Sequence, residues 1–255
     1  MAKSKTLTQQ IHEAVKKASP VTLIYRARYR ANKWLDLGKS SPAPDSSQTI
    51  LGEETFGESF QDLFVIKMTK GLGLDQYVEI GSGPPAIRNN TYALEKNFAW
   101  KGISLEYNNK YVVEFLEKRI NKIYEADATT FDYESALLEN NFSKHMGYLQ
   151  VDIDPSYQSL ACLPIIPFSK RIFAVITFEH DAYRSGKKIA KLQRQYLESL
   201  GYKLIFKNVH AGNLGPYEDW WIHPQLVPKN RWENIFASDM TGEEYFSKFA
   251  AYLTQ

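Results

Sequence analysis

From Tyr77 onward the sequence alternates apolar runs of strand length with amphipathic runs of helix length, and that alternation leaves few folds open. Strand candidates are Tyr77–Ile80, Gly102–Glu106, Ile123–Ala126, Gly147–Asp152, Ile172–Phe178, Lys203–Lys207 and Trp220–His223, several of them bounded by Gly, Asp or Asn. Helix candidates between them are Thr91–Asn97, Lys110–Lys118 and Lys187–Leu200. In the last, Ile189, Leu192, Tyr196, Leu197 and Leu200 form one apolar stripe, and Gly201 stands where a C-cap belongs. Ser59–Ile66 reads as a short helix or loop. A repeating strand–helix pattern predicts an α/β domain, a mostly parallel sheet with helices on both faces. The 255 residues fit one such domain plus a short extension.

The extension is basic. Residues 1–40 hold nine Lys and Arg against Glu13 and Asp36, a net of +7 in a chain whose total is +2. Residues 8–36 look helical and are split by Pro20, and Gly38–Ser47 reads as a linker, so residues 1–48 are expected as an extension and residues 49–255 as the domain. A basic arm suits an anionic membrane surface or an acidic partner, or is simply a solvated helix face. Lys187–Arg194 reads as another solvated face, and no nucleic-acid partner is expected. No run of 18 apolar residues and no secretory h-region occur. The single cysteine, Cys162, excludes an internal disulfide and a Cys-rich zinc site. A cytoplasmic location is expected, peripheral to a membrane if the arm docks there.

The first strand runs into Glu79-Ile-Gly81-Ser82-Gly83-Pro84-Pro85. Glycine after a buried strand lets the backbone turn sharply and a ligand come close. Gly81 to Ala86 formally matches the G-x-G-x-x-A dinucleotide fingerprint, a weak signal by itself. Two prolines cannot donate backbone N–H groups, so the loop is a poor pyrophosphate cradle. Glu79 favours a cationic ligand over a diphosphate, and S-adenosylmethionine (SAM) carries two cations and no phosphate. Glu106, 25 residues after Gly81, ends the second strand where ribose hydroxyls need an acceptor, and Asp127 ends the third, within reach of an adenine amine.

Ser59-Phe-Gln61-Asp62, Tyr77-Val-Glu79-Ile-Gly81-Ser-Gly83, Asn90-Thr91-Tyr-Ala-Leu94-Glu95, Trp100–Glu106, Gly147–Asp154, Ile176–His180 and Glu218–Trp221 together resemble the FkbM-type SAM-dependent methyltransferases over roughly residues 58–225. The resemblance implies a Rossmann-like class I methyltransferase fold: a seven-stranded, mostly parallel sheet with an antiparallel last strand. It also implies methyl transfer to a hydroxyl of a sugar or glycan, in a surface polysaccharide or natural product. Pro155-Ser156 after Asp154, and the Pro84-Pro85 pair, depart from the family pattern. The cofactor-binding set is then Glu79, Gly81, Ser82, Gly83, Asn90 and Thr91, with Glu106, Tyr107, Asp127 and Ala128 further along the same edge.

A hydroxyl needs its proton removed, or a metal to lower its pKa, before it attacks. Asp152-Ile-Asp154 and Glu179-His180-Asp181 end later strands, and an antiparallel last strand brings Glu218-Asp219 beside them, with His210 and Asn213 at the same edge. Asp152, His180 and Asp219 are the catalytic candidates, with His180 or Asp152 as general base. Asp152, Glu179 and His180, with Asp219 as a further candidate, suit Mg²⁺ or Mn²⁺. Tyr183, Trp220 and Trp221 are candidates for stacking on a sugar, while Phe98 and Trp100 read as core. Three other readings compete: an NAD-linked oxidoreductase using the glycine fingerprint, a glycosyltransferase using Asp152-Ile-Asp154, and a non-catalytic SAM-binding subunit that docks through its basic arm.

Overall fold

The computed structural model describes residues 5–18, 48–50, 53–210, 215–233 and 235. Residues 19–36 of the expected helical arm, the linker at 38–47 and Asn213 lie outside the described residues. Residues 7–18 form α1. A small antiparallel hairpin follows, β1 (Gln48–Ile50) and β2 (Glu53–Thr55), then α2 (Gln61–Thr69).

The main sheet is built from β3 (Gln76–Ile80), β4 (Lys101–Glu106), β5 (Lys122–Glu125), β6 (His145–Val151), β7 (Ile172–Glu179), β8 (Lys203–His210) and β9 (Pro216–Ile222). The helices between them are α3 (Tyr92–Phe98), α4 (Asn109–Lys118), α5 (Tyr133–Glu139), α6 (Tyr157–Cys162), α7 (Ala182–Ser185) and α8 (Lys187–Ser199). The strand order is β5-β4-β3-β6-β7-β9-β8. The strands from β3 to β7 pair in parallel, while β9 runs antiparallel to both β7 and β8. This is the α/β, seven-stranded Rossmann-like sheet expected from the sequence, with its last strand reversed and inserted beside β7. Among the described residues no helix is long and apolar enough to cross a membrane.

Central strands are buried on both sides, which is why they read as continuous apolar runs. On one face Ile80, Leu105, Val151, Ile176 and Phe178 join residues of α5, α6 and α8, and Ile11 and Ala14 of α1 belong to the same buried cluster. On the other face α2 lies across the sheet, and Phe64 packs on Trp220 (5.0 Å) and Phe206 (5.6 Å). Eight of the nine α2 residues are buried, so the helix has no polar stripe for periodicity to reveal. The α8 stripe is as expected: Ile189, Leu192 and Leu197 are buried, with Tyr196 and Leu200 partly so. Gly201 (φ 90°) ends it, with Tyr202 N–H donating to Leu197 O and Gly201 N–H to Glu198 O.

The chain leaves β3 on one side for β4 and β5, then returns on the other side to β6. A crevice opens where the order reverses, beyond the C-terminal ends of β3 and β6.

One cross-strand fit anchors this region. Tyr77 lies opposite Gly102 in the β3–β4 register, and its ring fills the space above the glycine. A Cβ on residue 102 lands 1.9 Å from the Tyr77 ring. The ring cannot retreat, because its hydroxyl is held by Arg119 (2.9 Å) and Asn121 (3.1 Å). Gly102→Ala is therefore expected to lower stability by about 1–3 kcal/mol, the usual cost of overpacking, as a reduced urea midpoint with unchanged slope. An unshifted midpoint contradicts the fit.

Candidate functional site

Two groups of side chains meet at the crevice. The first holds the glycine loop. Gly81 (φ 78°) approaches β6 so closely that a Cβ there falls 1.8 Å from the Asp152 carbonyl oxygen. The amides of Gly81 and Ser82 both donate to Leu105 O (2.9 and 3.1 Å). The Gly83 amide donates to Glu106 Oε2 (2.8 Å), whose other oxygen accepts from Asn108 N–H (2.7 Å). Pro84 and Pro85 have no amide hydrogen, and their carbonyls accept from Asn89 (3.3 Å) and Arg119 (2.9 Å). No backbone donor from residue 81 to residue 85 is left for a phosphate.

Glu79 lies beneath this loop. Its carboxylate accepts from Asn89 (3.0 Å), Thr91 (2.8 Å) and Ser104 (2.6 Å), and the residue has no exposed surface. Burial raises its pKa against the opposing charge of Arg119. The expectation that Glu79 meets the cofactor's cation is corrected: its oxygens are committed to the scaffold that shapes the loop. Arg119, which the sequence reading missed, is the other half of that scaffold. It is buried, pairs with Glu95 (2.9 Å) and donates to Pro85 O, Asn89, Tyr77 and Thr91. Thr91 is thus enclosed as well.

At the rim stand Glu106, which is half-buried, and Asp127, which is exposed and takes Thr129 N–H and Oγ–H on one oxygen (2.9 and 2.6 Å). Ala128 is buried beside Asp127, and Tyr107 and Ile87 are 76% and 58% exposed, offering apolar surface at the same edge. A Cβ on Gly83 meets nothing within 4 Å, so the loop faces open space there.

The second group lies at the ends of β6, β7 and β9. Glu179 is opposite Glu218 in register, and the carboxyl of Asp152 contacts that of Glu179, so three carboxyls adjoin across three strands. Burial, then the charges of Asp152 and Asp181, pushes the half-buried Glu179 carboxyl well above the usual range. Burial pushes Glu218 up to about 8, although Trp220 (2.6 Å) and Gln61 (2.9 Å) donate to it. Gln61 in turn accepts from Ser59 N–H and bonds to the Tyr217 hydroxyl, tying the start of α2 to β9.

Strand alternation sends the neighbours of these acids to the opposite face. His180 and Asp219 are wholly buried against α8. His180 Nδ1 accepts from Ala182 N–H (3.1 Å), and Nε2 lies 3.3 Å from Asp219 Oδ1, off the line of a good hydrogen bond. Asp219 is gripped by Arg194 (2.7 and 2.8 Å), Asn208 N–H (2.9 Å) and Gln193. Burial raises its pKa, but the close approach of His180 and the bonds and charge of Arg194 win and hold it below the usual range. The catalytic expectation for His180 and Asp219 is therefore corrected: neither reaches the crevice, and His180 has no ring nitrogen turned toward Asp152 and Glu179 as a metal ligand. The acidic oxygens that do converge belong to Asp154, Glu179 and Asp181, all within 4.8 Å of one another. Arg184 already lies against Asp181 (3.0 Å) and Asp154 (3.9 Å). Trp220 and Trp221 have no exposed surface and are core, whereas Tyr183 remains 37% exposed.

No family model matches the chain, and no curated protein matches it. Solved structures similar to it include the O-methyltransferase from Bacillus cereus in complex with SAH, at 12% identity over 88% of this chain and 93% of that one, TM-score 0.42. A SAM-dependent methyltransferase from Clostridium acetobutylicum is similar at 10% identity over 65% and 91%, TM-score 0.43. The S. pombe Dnmt2 methyltransferase is similar at 14% identity over 58% of this chain, which spans 48% of its length, TM-score 0.41. The fold assignment stands on the strand order and register above.

Glu218 carries a pH dependence. Its folded pKa of about 8 exceeds the ordinary 4.5, so its contribution is full below that lower value and is lost as pH rises toward the upper one. Urea unfolding between pH 5 and 8 is expected to show wild type losing stability relative to Glu218→Gln, by up to about 1.4 kcal/mol per pH unit. Parallel profiles contradict the shift.

Proposed function

We propose that this protein is a SAM-dependent O-methyltransferase that acts on a hydroxyl of a sugar or glycan, in keeping with its resemblance to FkbM-type enzymes. One observation carries the cofactor choice: the amides of Gly81, Ser82 and Gly83 are already bonded, and Pro84 and Pro85 have none. A dinucleotide needs such donors for its pyrophosphate, and SAM does not. The residues present fit SAM in a second way. Ser82 Oγ in the loop, Asn90 Oδ1 after it and Gln150 Oε1 on β6, opposite Glu79, are buried without a partner, a cost that a polar ligand relieves.

Bound SAM supplies an electrophilic methyl group on a sulfonium. Glu106, fixed by the Gly83 and Asn108 amides, stands where ribose hydroxyls donate, and Tyr107 and Ile87 flank the purine. At the acceptor end Glu179 is the general base. With Asp152 it is one of the two half-buried members of the carboxyl row, and its raised proton affinity suits it to take a hydroxyl proton. Asp152, next to it, accepts a second sugar hydroxyl, and Tyr183 offers a ring face. Arg184 supplies positive charge to Asp154 and Asp181, so the chemistry proceeds without the divalent ion that the acidic residues first suggested.

Two measurements test this reading. Calorimetry is expected to show binding of S-adenosylhomocysteine and none of NADH; the reverse result overturns the cofactor choice. Incubation with SAM and candidate glycans is expected to add 14 Da per methyl by mass spectrometry, the mass of one CH₂. The rate should be undiminished by EDTA; loss on chelation reinstates the ion at Asp154, Glu179 and Asp181.

Glu179→Gln is expected to cut kcat by roughly 10²–10⁴, the usual contribution of general base catalysis, with the affinity for S-adenosylhomocysteine unchanged. Full turnover in this variant removes Glu179 from the chemistry.

A further inference from the structure

We propose that α4 is the contact through which two copies of this chain associate, antiparallel about a two-fold axis. Among the described residues eight large apolar side chains are exposed, and five of them gather here. Val112, Phe115 and Arg119 are buried beneath the helix. Val113 and Leu116, each one residue further on, begin a second stripe beside them, and Ile120, just past the cap at Arg119, extends it. Leu116 is 66% exposed and Ile120 91%. Tyr107 continues the patch at the start of the helix. Ile87 continues it at the other end, two residues from Pro85, whose carbonyl takes Arg119.

Apolar surface of this extent is costly to leave in water. At the sizes of these side chains the five expose roughly 600 Å² between them, at the upper end of the largest patch on an ordinary monomer. One partner in a standard protein interface gives up about 800 Å², so the patch with its polar rim is large enough for a stable dimer.

The charges select the occupant. α4 carries Lys110, Glu114, Glu117 and Lys118, and so has no net charge. An anionic membrane or a nucleic acid calls for a cationic excess, which this face lacks. A two-fold contact instead needs a surface complementary to itself. With the axis between Val113 and Glu114, Lys110 comes level with Glu117 of the second copy, and Tyr107 comes level with its Ile120. Lys110 and Glu117 are both exposed, and the contact between them occurs twice about the axis. Within its own helix Lys110 lies 3.8 Å from Glu114, an exposed pair of little energy, so turning toward Glu117 sacrifices little.

Sedimentation over a dilution series is expected to show wild type at twice the mass of one chain. Leu116→Glu should weaken the dimer roughly hundredfold or more, because an apolar contact is lost from each copy. Lys110→Glu and Glu117→Lys should each weaken it about three- to tenfold, since like charges then meet twice. The two together should return it to within about threefold of wild type. These side chains are exposed, so at high dilution each variant should melt with the wild-type monomer; if Leu116→Glu does not fold, the charge exchange makes the same test. A wild type that stays monomeric throughout overturns the proposal. So does a Leu116→Glu dimer as tight as the wild-type one, or a charge exchange that fails to restore association. A monomer that Leu116→Glu makes less stable also overturns it, because another part of the same chain then covers the patch.

Discussion

The crevice depends on one buried polar knot. Glu79 and Glu95 are acids taken out of water, and Arg119 is the base that runs between them, bonding to Glu95 directly and reaching Glu79 through Asn89 and Thr91. Placing such charges in a low-dielectric interior costs more than their attraction returns unless nearly every polar atom finds a partner. Here the partners are the loop itself: the carbonyls of Ser82, Pro84 and Pro85, the amide of Asn89 and the hydroxyl of Thr91. Burial still outweighs the guanidinium at Glu79, since its pKa is raised. The knot is therefore better understood as a means of fixing the loop than as a source of net stability. Its hydrogen bonds exist only when residues 81–91 take one conformation, so the cost of burial becomes a specification of shape.

The same arithmetic explains why neighbours in sequence separate in function. Glu179-His180 and Glu218-Asp219 each look like a ready-made catalytic pair. A strand turns successive side chains to opposite faces. Glu179 and Glu218 therefore face α2 and the crevice, while His180 and Asp219 face α8, where Gln193 and Arg194 close around the aspartate. The lowered pKa of Asp219 and the raised pKa of Glu218, one residue apart, record the two environments. A carboxylate saturated by a guanidinium and a backbone amide fastens a helix to a sheet. One buried beside other carboxyls, as Glu218 is, holds its proton more tightly instead.

Much of the architecture was legible because central parallel strands must be apolar on both faces, so β3, β6 and β7 announce themselves as runs. The α8 stripe and Gly201 were legible for the corresponding reason in helices. α2 was not, since a helix buried nearly all round has no stripe, and α5 and α6 span only 7 and 6 residues. Asp132, which accepts from Ser135 N–H at the start of α5, was the available signal for that helix. At the crevice, Glu106 and the glycines stand at the strand ends where the sequence placed them. Glu79 was legible as important but not in its role, because a strand-end acid looks the same whether it meets ligand or scaffold. Trp220 and Trp221 followed the commoner fate of strand aromatics and became core. Arg119 left no trace in the sequence, because its five partners come from β3, α3 and the loop between them.

Gln150 is the residue for which sequence and structure together say more than either alone. A single amide inside Gly147-Tyr-Leu-Gln-Val-Asp152 breaks a run that is otherwise buried on both faces, and a strand tolerates such a break only where the polar atoms have something to bind. Its lateral neighbours across the sheet, Ser104, Glu79 and Thr177, are all satisfied by protein groups: Ser104 by Glu79, and Thr177 by the Tyr148 hydroxyl. The Gln150 oxygen is left over in that row. Two residues further along the same strand stands Asp152, whose carbonyl receives the close approach of Gly81 and whose carboxyl meets Glu179. One strand thereby touches the unsatisfied amide, the glycine loop and the acid row in succession. The polar break in β6 and the acid row thus lie along one line at the edge of the crevice, the first with an oxygen left over and the second with carboxyls that share a raised affinity for protons.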